Sequence, residues 1–108
     1  MDAKVGVTLD EVREVYNSGQ YESAIAKATE VISGDPRCYG AWVLRGASLI
    51  HLDSPYSAIL NFTKAISINS GVYDAWNNRG TAYFRLFMWD EAIADFEQSL
   101  AITPNYMS

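Results

Sequence analysis

The sequence predicts an all-α protein built as a solenoid of three consecutive helix-turn-helix units. Two observations lead to this prediction. The first is an internal repeat, because a shift of 34 positions aligns Trp42 with Trp76 and Gly46 with Gly80. The second is that the aligned apolar residues recur at helical spacing between segments rich in glycine, proline and serine. A fixed period near 34 with these residue types is typical of stacked helical repeats. Further columns in the same register are Ala24, Ala58 and Ala92; Ile25, Ile59 and Ile93; Ile32, Ile66 and Leu100; and Pro36, Ser70 and Pro104.

The first copy contains signals for two helices. Thr8 and Glu11 form the pattern of a capping box, in which each side chain accepts a hydrogen bond from the other residue's backbone N–H. This pattern predicts a first helix over roughly 9–18. A second helix is predicted over 21–33, and Pro36 follows soon after its end.

The break between helices is clear in the second copy and weak in the third. Ser54 is predicted to be the N-cap of the fourth helix, with Pro55 at the first helical position, where proline is tolerated. The third copy has little punctuation, and its two helices are predicted to separate near 87–89. That copy is expected to finish at Pro104.

The third copy resembles a tetratricopeptide repeat. It carries the family's residue types at nearly every signature column, namely Trp76, Gly80, Tyr83, Ala92, Phe96 and Pro104. Arg79 departs from the pattern because the family usually has leucine there. The second copy keeps Trp42, Gly46, Ala58 and Phe62, whereas the first is degenerate, with Thr8, Val12 and Val15 in the tryptophan, glycine and tyrosine columns. The resemblance extends over residues 5–106 and implies a right-handed α-α superhelix whose first helices line a concave groove.

Two glycines in the middle of helices require close packing. A mid-helix glycine costs about 1 kcal/mol relative to alanine, so Gly46 and Gly80 are expected to lie where the paired helix approaches closely. Phe62 and Phe96 are predicted to fill the remaining space between the paired helices. Asp95 could reach Arg79 as a salt bridge at the edge of the repeat. The three tryptophans, Trp42, Trp76 and Trp89, are predicted to be core residues.

The isoleucine columns of the second helices are expected to face the next repeat, and stacking would bury them. In the third copy the corresponding Ile93 and Leu100 would lack a following repeat. We expect either that Tyr106 and Met107 fold back over them or that a second molecule stacks there. Ile93, Leu100 and Tyr106 are therefore the predicted self-association edge.

Charge and composition argue against several classes of function. The net charge is −5, and the eight Lys and Arg residues are scattered singly, which disfavours nucleic acid and anionic membranes as partners. No apolar segment has the roughly 20 residues of a spanning helix. A start without signal-peptide features and a lone Cys38 favour a cytoplasmic location.

Catalytic and cofactor sites are not indicated. The sequence has no glycine-rich phosphate loop and no Cys/His cluster at metal-ligand spacing, so no metal, cofactor or enzymatic activity is expected. His51 lies close to Asp53 and Ser54, but neighbours on one turn rarely reach the geometry of a nucleophile and its base.

The informative surface is the face of each first helix opposite the core. Because the resemblance makes this face the usual ligand site, we predict a groove that binds a peptide or partner protein. Its predicted residues are Arg13, Asn17, Leu44, Ala47, His51, Asn77, Asn78, Thr81, Phe84 and Arg85. Asn78 would point into the groove and Asn77 would lie at its rim, while no core role accounts for Leu44.

One branch of the family binds C-terminal carboxylates of chaperones through a clamp of lysine, asparagine and arginine. This sequence mostly lacks the clamp, since Leu9, Arg13, Leu44, Asp74 and Asn78 occupy its columns. Chaperone-tail binding is therefore disfavoured.

The sequence thus predicts one tetratricopeptide domain over 1–108, with repeats of approximately 5–38, 39–72 and 73–106, acting as a non-enzymatic protein interaction scaffold. Two alternatives stay open. The chain could be a structural unit that self-associates as a homodimer, or a fragment of a longer repeat array.

Overall fold

The computed structural model describes residues 6–103, and this part of the chain folds into six α-helices without a β-strand. The predicted break at Pro104 and the predicted fold-back of Tyr106 and Met107 lie outside the described residues. None of the described helices combines the length and apolar character needed to cross a lipid bilayer. The helices are α1 Leu9–Asn17, α2 Tyr21–Gly34, α3 Tyr39–His51, α4 Pro55–Ile68, α5 Tyr73–Arg85 and α6 Trp89–Ile102.

The helices pair in chain order into three hairpins that stack in a row. α1 packs on α2, α3 on α4 and α5 on α6. The second helices of the first two hairpins, α2 and α4, also pack on the first helix of the next hairpin. First helices contact one another along one side, α1 with α3 and α3 with α5. The predicted all-α stack of three helix-turn-helix units is confirmed.

The helix ends follow the predicted signals with one exception. Thr8 and Glu11 form the capping box, in which the Glu11 N–H donates to Thr8 Oγ1 at 3.3 Å and the Thr8 N–H donates to Glu11 Oε1 at 2.8 Å. α5 and α6 separate between Arg85 and Trp89, close to the predicted break. Ser54 does precede α4, but its hydroxyl makes no capping hydrogen bond, so proline at the first position is the start signal there.

The turn inside each hairpin places one residue in the left-handed region, again with a period of 34. These residues are Gly19 with φ 82°, Asp53 with φ 60° and Phe87 with φ 62°. Glycine adopts this conformation freely and aspartate tolerates it, whereas a bulky phenylalanine is strained by its Cβ. The geometry of the turn therefore recurs even where the residue does not suit it.

Both mid-helix glycines lie where a phenylalanine ring of the paired helix approaches closely. A Cβ added to Gly46 would lie 2.7 Å from Phe62 Cε1, and one added to Gly80 would lie 2.7 Å from Phe96 Cε1. Such separations are well inside van der Waals contact. The close approach explains why two helices tolerate a residue that disfavours helix formation.

Two arginines join neighbouring hairpins in the same way. Arg45 Nε donates to Asn61 Oδ1 at 2.7 Å within its own hairpin, while Arg45 Nη1 donates to Thr29 Oγ1 of the preceding hairpin at 3.1 Å. Thirty-four residues later, Arg79 makes two hydrogen bonds to Asp95, at 2.8 and 2.9 Å, and one to Thr63 Oγ1 at 3.1 Å. The predicted salt bridge between Arg79 and Asp95 is confirmed. Its arginine also links adjacent repeats, a role that the sequence did not indicate.

The two arginines differ electrostatically because their partners differ. Burial lowers the pKa of the Arg45 guanidinium, whose hairpin partner is a neutral amide. The hydrogen bond from Arg79 to Asp95 raises the pKa of Arg79 and outweighs the opposing effect of burial. A carboxylate therefore favours the charged form of Arg79 in a setting that would otherwise disfavour it.

The tryptophans are less buried than predicted. The indole N–H groups of Trp42 and Trp76 donate to the carbonyls of Pro36 and Ser70 at 2.9 Å, and both rings are half-buried beneath arginine guanidinium groups. Trp89 is 48% exposed, so its prediction as a core residue was wrong. Its ring packs edge-on against Phe84 and Phe87, and no described helix other than α5 packs on α6.

Candidate peptide-binding groove

Two recesses lie along the first helices, on the side where α1, α3 and α5 contact one another. The larger has a volume of about 240 Å³ and the smaller a volume of about 200 Å³. The larger is lined by Tyr16, Ala47, Ile50, His51, Asn78, Thr81 and Arg85. The smaller is lined by Arg13, Tyr39, Gly40, Val43, Leu44, Val72 and Asp74.

Aromatic contacts hold His51 at the edge of the larger recess. Its ring stacks on Tyr21 with 4.2 Å between ring centroids and 2° between planes. A hydrogen bond of 3.3 Å joins His51 Nε2 to the Tyr16 hydroxyl. Burial raises the pKa of Tyr16, with a smaller contribution from Tyr21. The imidazole is thus fixed by residues of the first hairpin although it belongs to the second.

The opposite side of this recess is polar and partly free to bind a ligand. Arg85 Nη1 makes a long hydrogen bond of 3.4 Å to the Ile50 carbonyl. The Thr81 hydroxyl donates to the Asn77 carbonyl at 3.1 Å. Asn78 is half-buried, and its amide makes no hydrogen bond within residues 6–103. One amide and much of a guanidinium can therefore bind a ligand.

The smaller recess has charges of both signs around an apolar wall. Arg13 forms an exposed ion pair with Asp10 at 3.1 Å, and Asp74 lies on the other side of the recess. Gly40 lies against Leu9, because a Cβ added there would be 2.8 Å from Leu9 Cδ2. The mixed charge makes this recess less selective for ligand charge than the larger one.

Comparisons with known proteins agree with this architecture. Residues 73–106 match the family model described as tetratricopeptide repeat. No curated protein matches the sequence. Among solved structures, the second tetratricopeptide domain of Spaghetti (RPAP3), bound to the HSP90 peptide SRMEEVD, is similar with 28% identity and a TM-score of 0.84 over 87% of each chain. These matches decide what the third copy is. Residues 73–106 are a tetratricopeptide repeat, and the described residues have the fold of tetratricopeptide domains.

Two further solved structures are also similar to this chain. The Arabidopsis OM64 tetratricopeptide domain has 28% identity and a TM-score of 0.85, with 90% of this chain and 81% of that chain covered. The crystal structure of MamA has 23% identity and a TM-score of 0.85, with 91% of this chain and 57% of that chain covered, which shows the fold alone. Tetratricopeptide domains are protein–protein interaction modules, and this chain has their architecture.

The two recesses bring together seven of the ten predicted groove residues and leave out three. Asn17 and Asn77 are exposed beside the recesses and line neither. Phe84 is 55% exposed and packs edge-on against Trp89, with 5.0 Å between ring centroids. The residues that line a recess are Arg13, Leu44, Ala47, His51, Asn78, Thr81 and Arg85.

Two predicted groove residues also belong to the core. Ala47 is only 8% exposed and forms the base of the larger recess. Leu44 is half-buried against Val12, Ala28 and Ala41, which gives it the packing role that the sequence did not reveal. Helix α1 covers part of the side of α3 on which Leu44 lies.

Sequence reasoning missed Tyr16, Tyr39 and Val72 as recess residues. Tyr16 lies 34 residues before Ile50, which lines the same recess, so the repeat register relates the two residues. Tyr39 begins α3, and its position depends on how the hairpins stack, for which the sequence contains no signal.

Proposed function

We propose that this protein is a non-enzymatic scaffold that binds an extended segment of a partner protein in its concave groove. The observation that carries the proposal is the larger recess, where the half-buried Asn78 has an amide without a hydrogen-bond partner within residues 6–103. An amide offers two donors and one acceptor, which suits a two-point hydrogen bond to a peptide backbone. The peptide-bound structure of a similar domain supports a peptide as the class of ligand.

The charges around the groove favour an acidic group on the ligand. Arg85 and His51 both line the larger recess, with Leu44 and Ala47 as the apolar floor of the groove. Asp74 lines the smaller recess, where a carboxylate would be repelled. We therefore propose that an acidic side chain of the ligand binds near Arg85, and that chaperone C-terminal tails are disfavoured.

The two neighbouring asparagines provide a matched test. Peptide arrays of extended sequences with one central Asp or Glu identify a ligand, and fluorescence anisotropy then compares Asn78→Ala with Asn77→Ala. Loss of the Asn78 contacts should weaken binding by about 1–3 kcal/mol, or roughly 5- to 150-fold. Asn77→Ala should bind as the parent does, since Asn77 lines neither recess.

A ligand that binds both variants equally, with folding intact by circular dichroism, would move the binding site away from this groove. Arg85→Gln provides a second test, since it should lower the affinity for acidic peptides and leave the affinity for the matching neutral peptides unchanged. The peptide SRMEEVD is a further probe, and we expect it to bind more weakly than the best array peptide.

Self-association is the alternative function, and the exposure of Ile93 and Leu100 favours it. Light scattering as a function of concentration tests it directly, with Leu100→Asp as the variant that should remain monomeric. We further propose that residues 5–38, 39–72 and 73–106 are the three repeats of one domain, that the domain can belong to a longer array, and that it acts in the cytoplasm.

A further inference from the structure

An apolar face lies on the outer side of the third hairpin, and no described helix packs on it. We define this C-terminal face by Phe84, Trp89, Ile93 and Leu100, whose exposed fractions are 55, 48, 54 and 75%. The residues in the same columns of the first two hairpins are half-buried or buried, because the next hairpin covers them. Several large apolar side chains exposed on one face are typical of an interaction site.

The two internal interfaces between hairpins show which element covers an equivalent face. The first helix of the next hairpin packs on it, and an arginine of that helix donates to a threonine, Arg45 to Thr29 and Arg79 to Thr63. The residue in the threonine column of the third hairpin is Glu97, which lies 34 residues after Thr63 and is exposed. The C-terminal face thus carries a carboxylate where the internal interfaces carry a hydroxyl.

We propose that the C-terminal face docks an amphipathic helix of a partner protein, with an arginine or lysine of that helix opposite Glu97. The apolar residues of the face supply the contact area, as they do at the internal interfaces. A charged acceptor in the threonine column strengthens the bond to a cation and selects against neutral or acidic helices.

The charges of the chain disfavour a second copy as the occupant. A two-fold pairing of α6 with α6 would bring together Asp90, Glu91 and Glu97 of both molecules, and α6 contains no lysine or arginine. An end-to-end stack would place α1 on the face, and the residue of α1 in the column of Arg45 and Arg79 is Glu11. Both arrangements set carboxylates against carboxylates, which repel each other in a partly desolvated interface.

A helical peptide with the sequence of residues 73–86 is the probe, because this helix covers the equivalent face of the second hairpin. A staple at its Asn77 and Thr81 positions, on the groove side, holds the peptide helical. Fluorescence anisotropy should show saturable binding to the full chain, and Leu100→Asp should weaken it at least about tenfold. Leu60→Asp is the matched control, since Leu60 is 72% exposed on α4, and it should leave binding unchanged.

A charge exchange tests the role of Glu97. Glu97→Lys should weaken binding of the parent peptide by about threefold at low salt. A peptide that carries Arg79→Glu should bind the Glu97→Lys variant more tightly than it binds the parent chain. High salt should remove both differences. The double exchange distinguishes a direct ion pair from a general effect on folding.

Several outcomes would overturn the proposal. One is that the full chain shows no saturable binding of the peptide. Another is that binding is seen only after removal of residues 104–108, which would assign the face to the chain's own terminus. Another is equal binding by the Leu100→Asp and Leu60→Asp variants. A dimer of the parent chain that Leu100→Asp dissociates would assign the face to a second copy. Asn78→Ala should not change binding of this helical peptide. Failure of the groove proposal can therefore be distinguished from failure of this one.

Discussion

At the scale of single residues, the repeat depends on positions where size or charge is fixed by one close neighbour. Gly80 faces Phe96 Cε1 and lies near the Ala92 carbonyl, to which an added Cβ would be 3.2 Å. Asp95 is almost fully buried and makes two hydrogen bonds to Arg79. Substitutions at these two residues therefore test the packing and the polar link separately.

Gly80→Leu should strongly destabilise the third hairpin. The leucine would have to displace the Phe96 ring and the α6 backbone, and overpacking of this kind costs about 1–3 kcal/mol or more. Urea denaturation followed by circular dichroism measures the loss. Gly34→Leu is the control, because an added Cβ at Gly34 meets nothing within 4 Å. Equal stabilities of the two variants would contradict the packing argument.

Asp95→Asn should be much milder than Asp95→Ala. Asn61 already fills the same column opposite Arg45, with a hydrogen bond of 2.7 Å, so an amide fits there. Replacing the charge-assisted pair by a neutral one should cost about 1 kcal/mol. Alanine leaves the guanidinium without its carboxylate and should cost about 3 kcal/mol. Thermal denaturation of both variants checks this ranking of stabilities. If Asp95→Asn were the less stable variant, Asn61 and Asp95 would not have equivalent roles.

At the scale of elements, the turn inside each hairpin is fixed by how its two helices pack. Gly19, Asp53 and Phe87 share the left-handed conformation although their side chains differ greatly. Helix-helix packing imposes the turn, and the strain energy of the left-handed conformation depends on which residue occupies it. Phe87 also contacts Trp89, with 5.6 Å between ring centroids, so the strained residue lies next to the C-terminal face.

Phe87→Asn should stabilise the protein by about 0.5–1 kcal/mol. Asparagine tolerates positive φ better than phenylalanine, and the contact that is lost is largely exposed, since Phe87 is 75% exposed. The midpoint of urea unfolding should therefore rise. Phe84→Asn lacks this relief, since Phe84 lies within α5, and should not stabilise. A lower midpoint for Phe87→Asn would mean that the Trp89 contact outweighs the strain.

At the scale of the whole molecule, stability should vary along the stack. α3 and α4 have hairpins on both sides, whereas α6 contacts only α5 among the described helices. In repeat proteins each unit is stabilised by its neighbours, so the end units open first. The exposed α6 is therefore expected to be the least protected second helix.

Amide hydrogen exchange by mass spectrometry checks this expectation. Peptides from α4 should exchange most slowly and peptides from α6 considerably faster, because opening of α6 disrupts one interface rather than two. Adding the stapled helix should slow exchange in α6 and leave α2 unchanged, which makes α2 the internal control. Uniform exchange along the chain would show that the stack unfolds as one cooperative unit.

The sequence by itself determined the repeat, the helices and the reasons for the two mid-helix glycines. These follow from a 34-residue period and from interactions between residues close in the chain, such as the capping box of Thr8 and Glu11. Stacking was predictable as a class of architecture, and so was the face of each first helix that forms the groove.

Only the tertiary structure decided which side chains meet across hairpins. It placed Tyr16 and Tyr21 against His51, gave Leu44 a packing role, and left Phe84 outside the groove and Trp89 exposed. It also showed that Arg45 and Arg79 reach back to a threonine of the preceding hairpin. The physical reason is that these contacts depend on the rotation and offset between neighbouring hairpins. Helical periodicity fixes which face a residue occupies, but not which residue of another hairpin lies opposite it.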